Sequence, residues 1–127
     1  MPDSASLPLP ERCREGIRLF HEGQYFLAHE VLEDVWRDAP PPDRKFFQGL
    51  IQIAVALYHH SRANLAGCRS LLKRASHNLS LYPDKHYGVE LAELAASLHS
   101  WLQALEQGLP APPPPRIRFQ AAPQAEA

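Results

Sequence analysis

Thirteen prolines divide this chain of 127 residues, and none of them interrupts a segment in which apolar residues recur every three or four positions. Proline lacks a backbone donor and clashes with the preceding helical turn, so helices end before it or begin directly after it. Apolar residues at helical spacing between the prolines therefore predict helices. We expect five helices, at about Glu11 to Glu22, Gln24 to Asp38, Asp43 to Ala63, Asn64 to Tyr82 and Tyr87 to Gln107.

The connections between these segments are short, and no segment alternates apolar and polar residues as a strand would. The sequence therefore predicts an all-α fold, an antiparallel up-and-down bundle of about five helices. We assign residues 1–108 to the bundle and residues 109–127 to an extended tail, because consecutive prolines favour extended backbone. Within the tail, Pro115 to Phe119 should lie on the bundle surface, and Gln120 to Ala127 should be disordered.

Composition narrows the expected partners. The net charge is -1, so the chain has no basic excess with which to neutralise phosphates, and we expect no nucleic-acid partner. The longest apolar run, Gly49 to Tyr58, is too short to span a bilayer, and no helix has a basic face for a membrane surface. A secretory signal is not visible, and Cys13 and Cys68 resemble small buried hydrophobic residues. We expect a cytoplasmic protein, with a homo-oligomer left open.

The second helix carries two residues that core packing does not explain. His29 and Glu33 are four positions apart and share one stripe of the helix with Leu32 and Trp36. Ionisable groups beside a leucine and a tryptophan cost free energy unless something pairs with them. The stripe therefore predicts a hydrogen-bond network, a metal ion or a bound substrate at this position.

The third helix is apolar on nearly every side, and its exceptions line up. Gln48, Gln52 and His59 fall within about 40° of one line at the helical step, so they form one polar ridge. Small residues flank this ridge at a seven-residue spacing, which predicts close approach by another helix: Gly49, Ala56 and Ala63. Because the Pro40-Pro41-Pro42 turn makes the second and third helices neighbours, we expect five polar side chains to share one interior site: His29, Glu33, Gln48, Gln52 and His59.

One interpretation of this site is a metal centre. Two neutral imidazoles and a carboxylate suit zinc, manganese, iron or nickel, and they leave positions for water or a small-molecule substrate. The pattern His-Glu-x-x-Glu resembles the zinc-protease motif His-Glu-x-x-His. His29, Glu33 and His59 would then bind the ion. Glu30 or Glu33 would activate water, and Gln48 or Gln52 would orient the substrate.

The other interpretation is a buried hydrogen-bond network. Glu33 would accept from His29 or His59, and the glutamine amides would satisfy the groups that remain. The protein would then be a non-catalytic helical scaffold or a protein-interaction module. The residues by themselves leave both interpretations open.

The other polar and aromatic candidates have ordinary structural explanations. Asp43 is well placed to cap the third helix and Asn64 to cap the fourth, while Trp36 and Trp101 are expected to be core anchors. We expect His60 at the surface or its boundary. The remaining histidines have no partner at ligand spacing and should be solvated: His21, His77, His86 and His99.

Two stretches carry a family resemblance, residues 20–36 and residues 47–59. Their most specific positions are Tyr25, Ala28-His29-Glu30, Leu32-Glu33, Trp36 and Gly49-Leu50-Ile51-Gln52. The chain resembles the domain of unknown function 309 family over roughly Gly16 to Tyr82. The resemblance implies a small all-helical bundle found mainly in bacteria and archaea. The family's label, predicted metal-dependent hydrolase, implies His29, Glu30, Glu33 and His59 as the residues of interest and establishes no reaction.

Overall fold

The structure, a computed structural model, describes residues 7–120. Five α-helices are present in this range: α1 (Glu11–His21), α2 (Tyr25–Asp38), α3 (Arg44–Ser61), α4 (Leu65–Leu79) and α5 (Leu91–Gln107). A single 3-10 turn, Pro41–Asp43, leads into α3, and the short strands β1 (Lys85–His86) and β2 (Val89–Glu90) lie between α4 and α5. The predicted all-α bundle is confirmed. The prediction of disorder from Gln120 onward is wrong at Gln120, whose backbone N–H donates to the carbonyl oxygen of Gly88 at 3.0 Å, and residues 121–127 lie outside the described residues.

The central element of the bundle is α3, which packs against both α2 and α4. Its Phe46, Phe47, Leu50 and Ile53 are fully enclosed, as expected for a helix that is apolar on nearly every side. Of the other helices, α2 and α4 pack directly against it, while α1 packs against α2 and α5 packs against α4. No helix among the described residues is both long and apolar enough to span a bilayer.

A close approach between α3 and α4 occurs at Gly49. A Cβ atom on this glycine would lie 2.8 Å from both Cδ2 and Cγ of Leu79. The two helices can therefore pack at this distance only because residue 49 has no side chain. Close approach beside the polar ridge is thus confirmed at Gly49, and the helix that approaches is α4.

The start of the fifth helix differs from the prediction, because α5 begins at Leu91 rather than at Tyr87. The residues before it form an antiparallel hairpin, in which His86 pairs with Val89. Its two turn residues, Tyr87 and Gly88, both have positive φ values, 50° and 74°. Positive φ at both positions is typical of the tight turn that joins twisted strands. Strands of two residues are too short to show an alternating pattern, so in the sequence only Gly88 pointed to a turn at this position.

The segment after α5 packs back across the bundle. The indole N–H of Trp101 donates to the carbonyl oxygen of Pro113 at 2.9 Å. Ile117 is only 1 % exposed, and Phe119 forms an antiparallel bridge with Val89 of the hairpin. This part of the tail therefore contributes to the core. The boundary between residues 1–108 and 109–127 as separate domains stays a prediction.

Candidate functional site

The predicted pair on α2 is present, and its imidazole has a defined orientation. Nε2 of His29 lies 3.7 Å from Oε1 of Glu33. On the other side of the ring, Nδ1 lies 2.6 Å from the carbonyl oxygen of Phe26. A carbonyl oxygen only accepts, so Nδ1 carries the proton that is donated to it. In the neutral ring, Nε2 is therefore unprotonated, and it faces the carboxylate of Glu33 without a hydrogen bond between the two groups.

This pair lies at the edge of the bundle and not in its interior. The side chains of His29 and Glu33 are 19 % and 39 % exposed. Glu33 also approaches Arg37, whose Nη2 lies 3.7 Å from Oε2 of Glu33. A carboxylate with this much access to water needs no buried partner. The expectation that His29 and Glu33 lie in an interior site is therefore wrong.

The polar ridge of α3 is directed toward α4, not toward α2. Oε1 of Gln52 accepts a hydrogen bond from Nδ2 of Asn78 at 2.9 Å. Nδ1 of His59 accepts from Nδ2 of Asn64 at 3.2 Å. The expected convergence of five side chains in one interior site therefore does not occur. The physical reason is the neighbouring Gly49, which brings α4 against the same side of α3.

The interaction of His59 supports a helix cap. The side-chain oxygen of Asn64 accepts from the backbone N–H of Gly67 at 3.0 Å, so the predicted cap of α4 is confirmed. The amide nitrogen of the same side chain is the group that donates to His59. His59 thereby helps to fix the capping side chain. Gln48, the remaining member of the ridge, is half-buried near the start of α3.

The side chains that could bind a metal ion are spread over the structure rather than gathered at one point. Within residues 7–120, no three side chains among His, Cys, Asp and Glu are grouped so that they could hold an ion together. Catalytic zinc sites use three protein ligands, so the described donors as they are arranged here do not fit such a centre. The roles of His29, Glu33 and His59 as ligands stay predictions. The same applies to the catalytic roles of Glu30 and Glu33 and to the substrate-orienting roles of Gln48 and Gln52.

Sequence reasoning missed a buried polar cluster at the start of α3. The side chains of Asp43 and His86 are 5 % and 8 % exposed, and Nε2 of His86 lies 3.1 Å from Oδ1 of Asp43. The hydroxyl of Tyr87 donates to Oδ2 of Asp43 at 2.7 Å. The prediction that His86 is solvated is wrong. Asp43 does occupy the N-cap position of α3, but its side chain makes no capping hydrogen bond there.

Aromatic rings enclose the imidazole of this cluster. The rings of Tyr82, Phe46 and Tyr87 have centroids 4.6, 4.9 and 5.1 Å from that of His86. Because a carboxylate only accepts, the Nε2 atom facing Asp43 carries a proton. Nδ1 is buried and has no hydrogen-bond partner among the described residues. With its ring closed off in this way, His86 joins the hairpin to α3 rather than presenting a reactive group.

The other histidines divide into two groups. His77 and His99 are exposed, as predicted. His60 is half-buried and its ring meets the edge of Trp101 at 5.0 Å, as expected for a boundary residue. The prediction for His21 is wrong, because its Nε2 accepts the backbone N–H of Ile117 at 3.0 Å. Desolvation by burial, followed by the charge of Arg116, lowers the pKa of His21 below its usual value.

The two tryptophans and the two cysteines largely follow the sequence expectations. Trp101 is buried, whereas Trp36 is half-buried and carries the guanidinium of Arg44 over its ring at 4.2 Å. Both cysteines are buried, and burial raises the pKa of Cys13 to about 12 and that of Cys68 to about 11. Such thiols stay protonated near neutral pH, as expected of small buried side chains.

Residues 13–71 match the model of the family described as Domain of unknown function (DUF309). The DUF309 match covers nearly all of α1, the whole of α2 and α3, and the first half of α4. It therefore contains the His29–Glu33 pair and the ridge of α3. His86 and Tyr87 lie beyond it.

Two bacterial relatives extend the comparison. The chain is 37% identical over 90 residues to the uncharacterized protein YpuF of Bacillus subtilis, which is 64% of this chain and 50% of YpuF. It is 31% identical over 101 residues to an uncharacterized protein of Aquifex aeolicus, which is 79% of this chain and 30% of that protein. The chain thus spans half or less of the length of these relatives.

Proposed function

We propose that the chain belongs to the DUF309 family and acts as a non-catalytic helical scaffold or protein-interaction module. In this proposal the polar ridge of α3 is a structural hydrogen-bond network. The observation that carries the proposal is the hydrogen bond of 2.9 Å between Gln52 and Asn78. This hydrogen bond joins α3 to α4 through the ridge residue Gln52. While Gln52 is paired with Asn78, its side chain does not orient a substrate at His29.

The burial of Asn78 gives this hydrogen bond a structural role. Asn78 is 8 % exposed and lies next to Leu79, the residue that packs on Gly49. A buried amide without a partner costs free energy, so its pairing with Gln52 favours one alignment of the two helices. His59 also favours this alignment, because it binds Asn64, the residue that caps the start of α4.

A double-mutant cycle tests the network. Gln52→Leu and Asn78→Leu should each lower the free energy of unfolding in urea, because each leaves the other amide unsatisfied. The double variant should lose less than the sum of the two losses, because it removes both polar groups together. Additive losses would mean that the two amides do not stabilise each other, and the proposed network would fail.

The second candidate function is a metal-dependent hydrolase, and one observation favours it. The carbonyl oxygen of Phe26 holds the imidazole of His29 so that Nε2 faces Glu33. Metal-binding histidines are commonly oriented by such a carbonyl. The divalent ion would be zinc, manganese, iron or nickel, with His29 and Glu33 as two of its ligands. His59 could become a third ligand only by leaving Asn64.

Elemental analysis separates the two candidates. The chain should be purified without chelators and without a histidine tag, alongside the variants His29→Ala and Glu33→Ala. His77→Ala is a matched control, because His77 is an exposed histidine on α4. The proposal predicts metal well below one ion per chain and equal amounts in all four proteins. One ion per chain that is lost in His29→Ala and kept in His77→Ala would overturn it and favour the hydrolase.

A further inference from the structure

A shallow surface groove of about 580 Å³ lies where the start of α2 meets the end of α3. We call it the α2–α3 groove. Phe26 and Leu27 are its most apolar residues, and they are 53 % and 44 % exposed. The ring of Phe26 packs on Tyr58 of α3, with centroids 5.4 Å apart. Phe26 and Leu27 therefore give the groove an apolar centre on the side formed by α2.

Two charged residues line the same groove and have opposite signs. Glu30 follows Phe26 by one turn of α2, and Arg62 follows Tyr58 by one turn at the end of α3. Both are exposed, and neither forms an ion pair within residues 7–120; the guanidinium of Arg62 lies over the ring of Tyr58 at 5.9 Å. The groove therefore combines an apolar centre with one negative and one positive charge that are available to a partner.

The antiparallel packing of α2 and α3 places these charges at opposite ends of the apolar centre. The start of α2 meets the end of α3 at Phe26 and Tyr58. The end of α2 meets the start of α3 where Arg44 lies over Trp36. Glu30 lies one turn after Phe26 along α2, and Arg62 lies one turn after Tyr58 along α3. Because the two helices are antiparallel, Glu30 and Arg62 lie on opposite sides of the Phe26–Tyr58 contact.

A surface with this arrangement is complementary to itself. A two-fold axis through the apolar centre brings the negative end of one copy onto the positive end of the other, twice. We propose that the α2–α3 groove is the interface of a homodimer, in which Glu30 of each copy pairs with Arg62 of the other. This inference rests on the proposed function, because it names a second copy of the chain as the partner of the interaction module.

Charge reversal tests the pairing through the dissociation constant of the dimer. Sedimentation of the full chain over a range of concentrations should show a reversible dimer. Glu30→Arg and Arg62→Glu should each raise the dissociation constant by about tenfold or more, since each places like charges opposite one another. Mixing the two single variants should restore dimerisation, because both contacts in the mixed dimer then join opposite charges. A folding defect would not be repaired by mixing.

Two further variants complete the experiment. Phe26→Ser should also weaken the dimer, because it removes apolar area from the centre. Arg74→Glu is the control for net charge, since Arg74 is exposed on α4 and has no ion pair among the described residues, and it should leave the dissociation constant unchanged. A wild-type chain that stays monomeric up to its solubility limit would overturn the inference. So would a dimer that is insensitive to Glu30→Arg and Arg62→Glu. Neither result would affect the proposed function, which depends on the metal content and on the Gln52–Asn78 cycle.

Discussion

The carboxylate of Asp43 and the imidazole of His86 lie 3.1 Å apart, although 43 positions separate them in the chain. Both groups are buried, and Tyr87 donates a second hydrogen bond to the same carboxylate. Asp43 therefore joins the start of α3 to the hairpin that precedes α5. Because a buried carboxylate is costly without partners, this cluster favours a single placement of the hairpin on the bundle.

Removing the carboxylate should be one of the more damaging single changes in the chain. Asp43→Ala leaves the Nε2–H of His86 and the hydroxyl of Tyr87 buried without their acceptor. We expect a loss of about 3 kcal/mol in the free energy of unfolding, measured by urea denaturation.

Asp38→Ala is the matched control for this change. Asp38 is exposed at the end of α2 and has no ion pair among the described residues. Its replacement should change the free energy of unfolding by about 0.5 kcal/mol or less. Equal losses in the two variants would show that the buried cluster contributes no special stability.

Much of the helical architecture could be predicted because its signals are local. The prolines and the apolar periodicity gave the five helices, and Gly108 ends α5 with a positive φ of 66°. The hairpin was missed because its strands have two residues each. The Asp43–His86 contact was missed because no local spacing relates residues so far apart in the chain.

The direction of the polar ridge shows a different limit of sequence reasoning. Helical spacing correctly grouped Gln52 and His59 on one side of α3, and both make side-chain contacts there. Spacing does not say which neighbouring helix that side meets. The small residues that begin at Gly49 and recur every seven positions predicted where a helix would come closest to α3. They did not predict that this helix is α4.

The close contact at Gly49 predicts an exception to helix propensity. Alanine is favoured over glycine in a helix by about 1 kcal/mol, so Gly49→Ala would stabilise an isolated helix. In the folded protein its Cβ would lie 2.8 Å from Cγ of Leu79, which is itself buried. We expect a net loss of roughly 1–3 kcal/mol, measured by thermal or urea unfolding.

A second substitution identifies the cause of that loss. Leu79→Ala removes the atoms that the new methyl group would meet, although it creates a cavity of its own. The loss caused by Gly49→Ala should therefore be smaller in the Leu79→Ala background than in the wild type. The same loss in both backgrounds would place its origin elsewhere than in the contact between α3 and α4.

The exposure of the His29–Glu33 pair predicts a small effect on stability. Glu33 is 39 % exposed and lies 3.7 Å from both His29 and Arg37, so water can replace either partner. Glu33→Ala should lower the free energy of unfolding by about 0.5 kcal/mol or less, as is typical of surface ion pairs. The measurement is urea unfolding beside Asp43→Ala. A loss as large as that of Asp43→Ala would mean that Glu33 has a buried partner that the pair's exposure does not indicate.

The contact between His21 and the tail predicts how stability depends on pH. The backbone N–H of Ile117 can only donate, so Nε2 of His21 must be unprotonated to accept it at 3.0 Å. Burial, followed by the charge of Arg116, lowers the pKa of His21 in the folded protein below the ordinary value of 6.5. Between the folded and unfolded pKa values, the unfolded chain binds the additional proton. The contribution of His21 to stability is therefore complete above pH 6.5, decreases as the pH falls toward its folded pKa, and is constant below it.

The free energy of unfolding, measured by urea denaturation between about pH 4.5 and 7.5, checks this dependence. His21→Gln should lose the contribution of this imidazole to the pH dependence below 6.5, because glutamine does not titrate, while the contribution of the carboxylates remains. The protection of the Ile117 amide against hydrogen exchange, taken relative to its intrinsic rate at each pH, should fall in the wild type at the acid end of the range, since protonation of His21 removes the acceptor. His77→Gln serves as the control, because His77 is an exposed histidine away from the tail, and it should leave the exchange at Ile117 unchanged. If wild type and His21→Gln show the same pH dependence, the imidazole does not hold the tail through its unprotonated nitrogen.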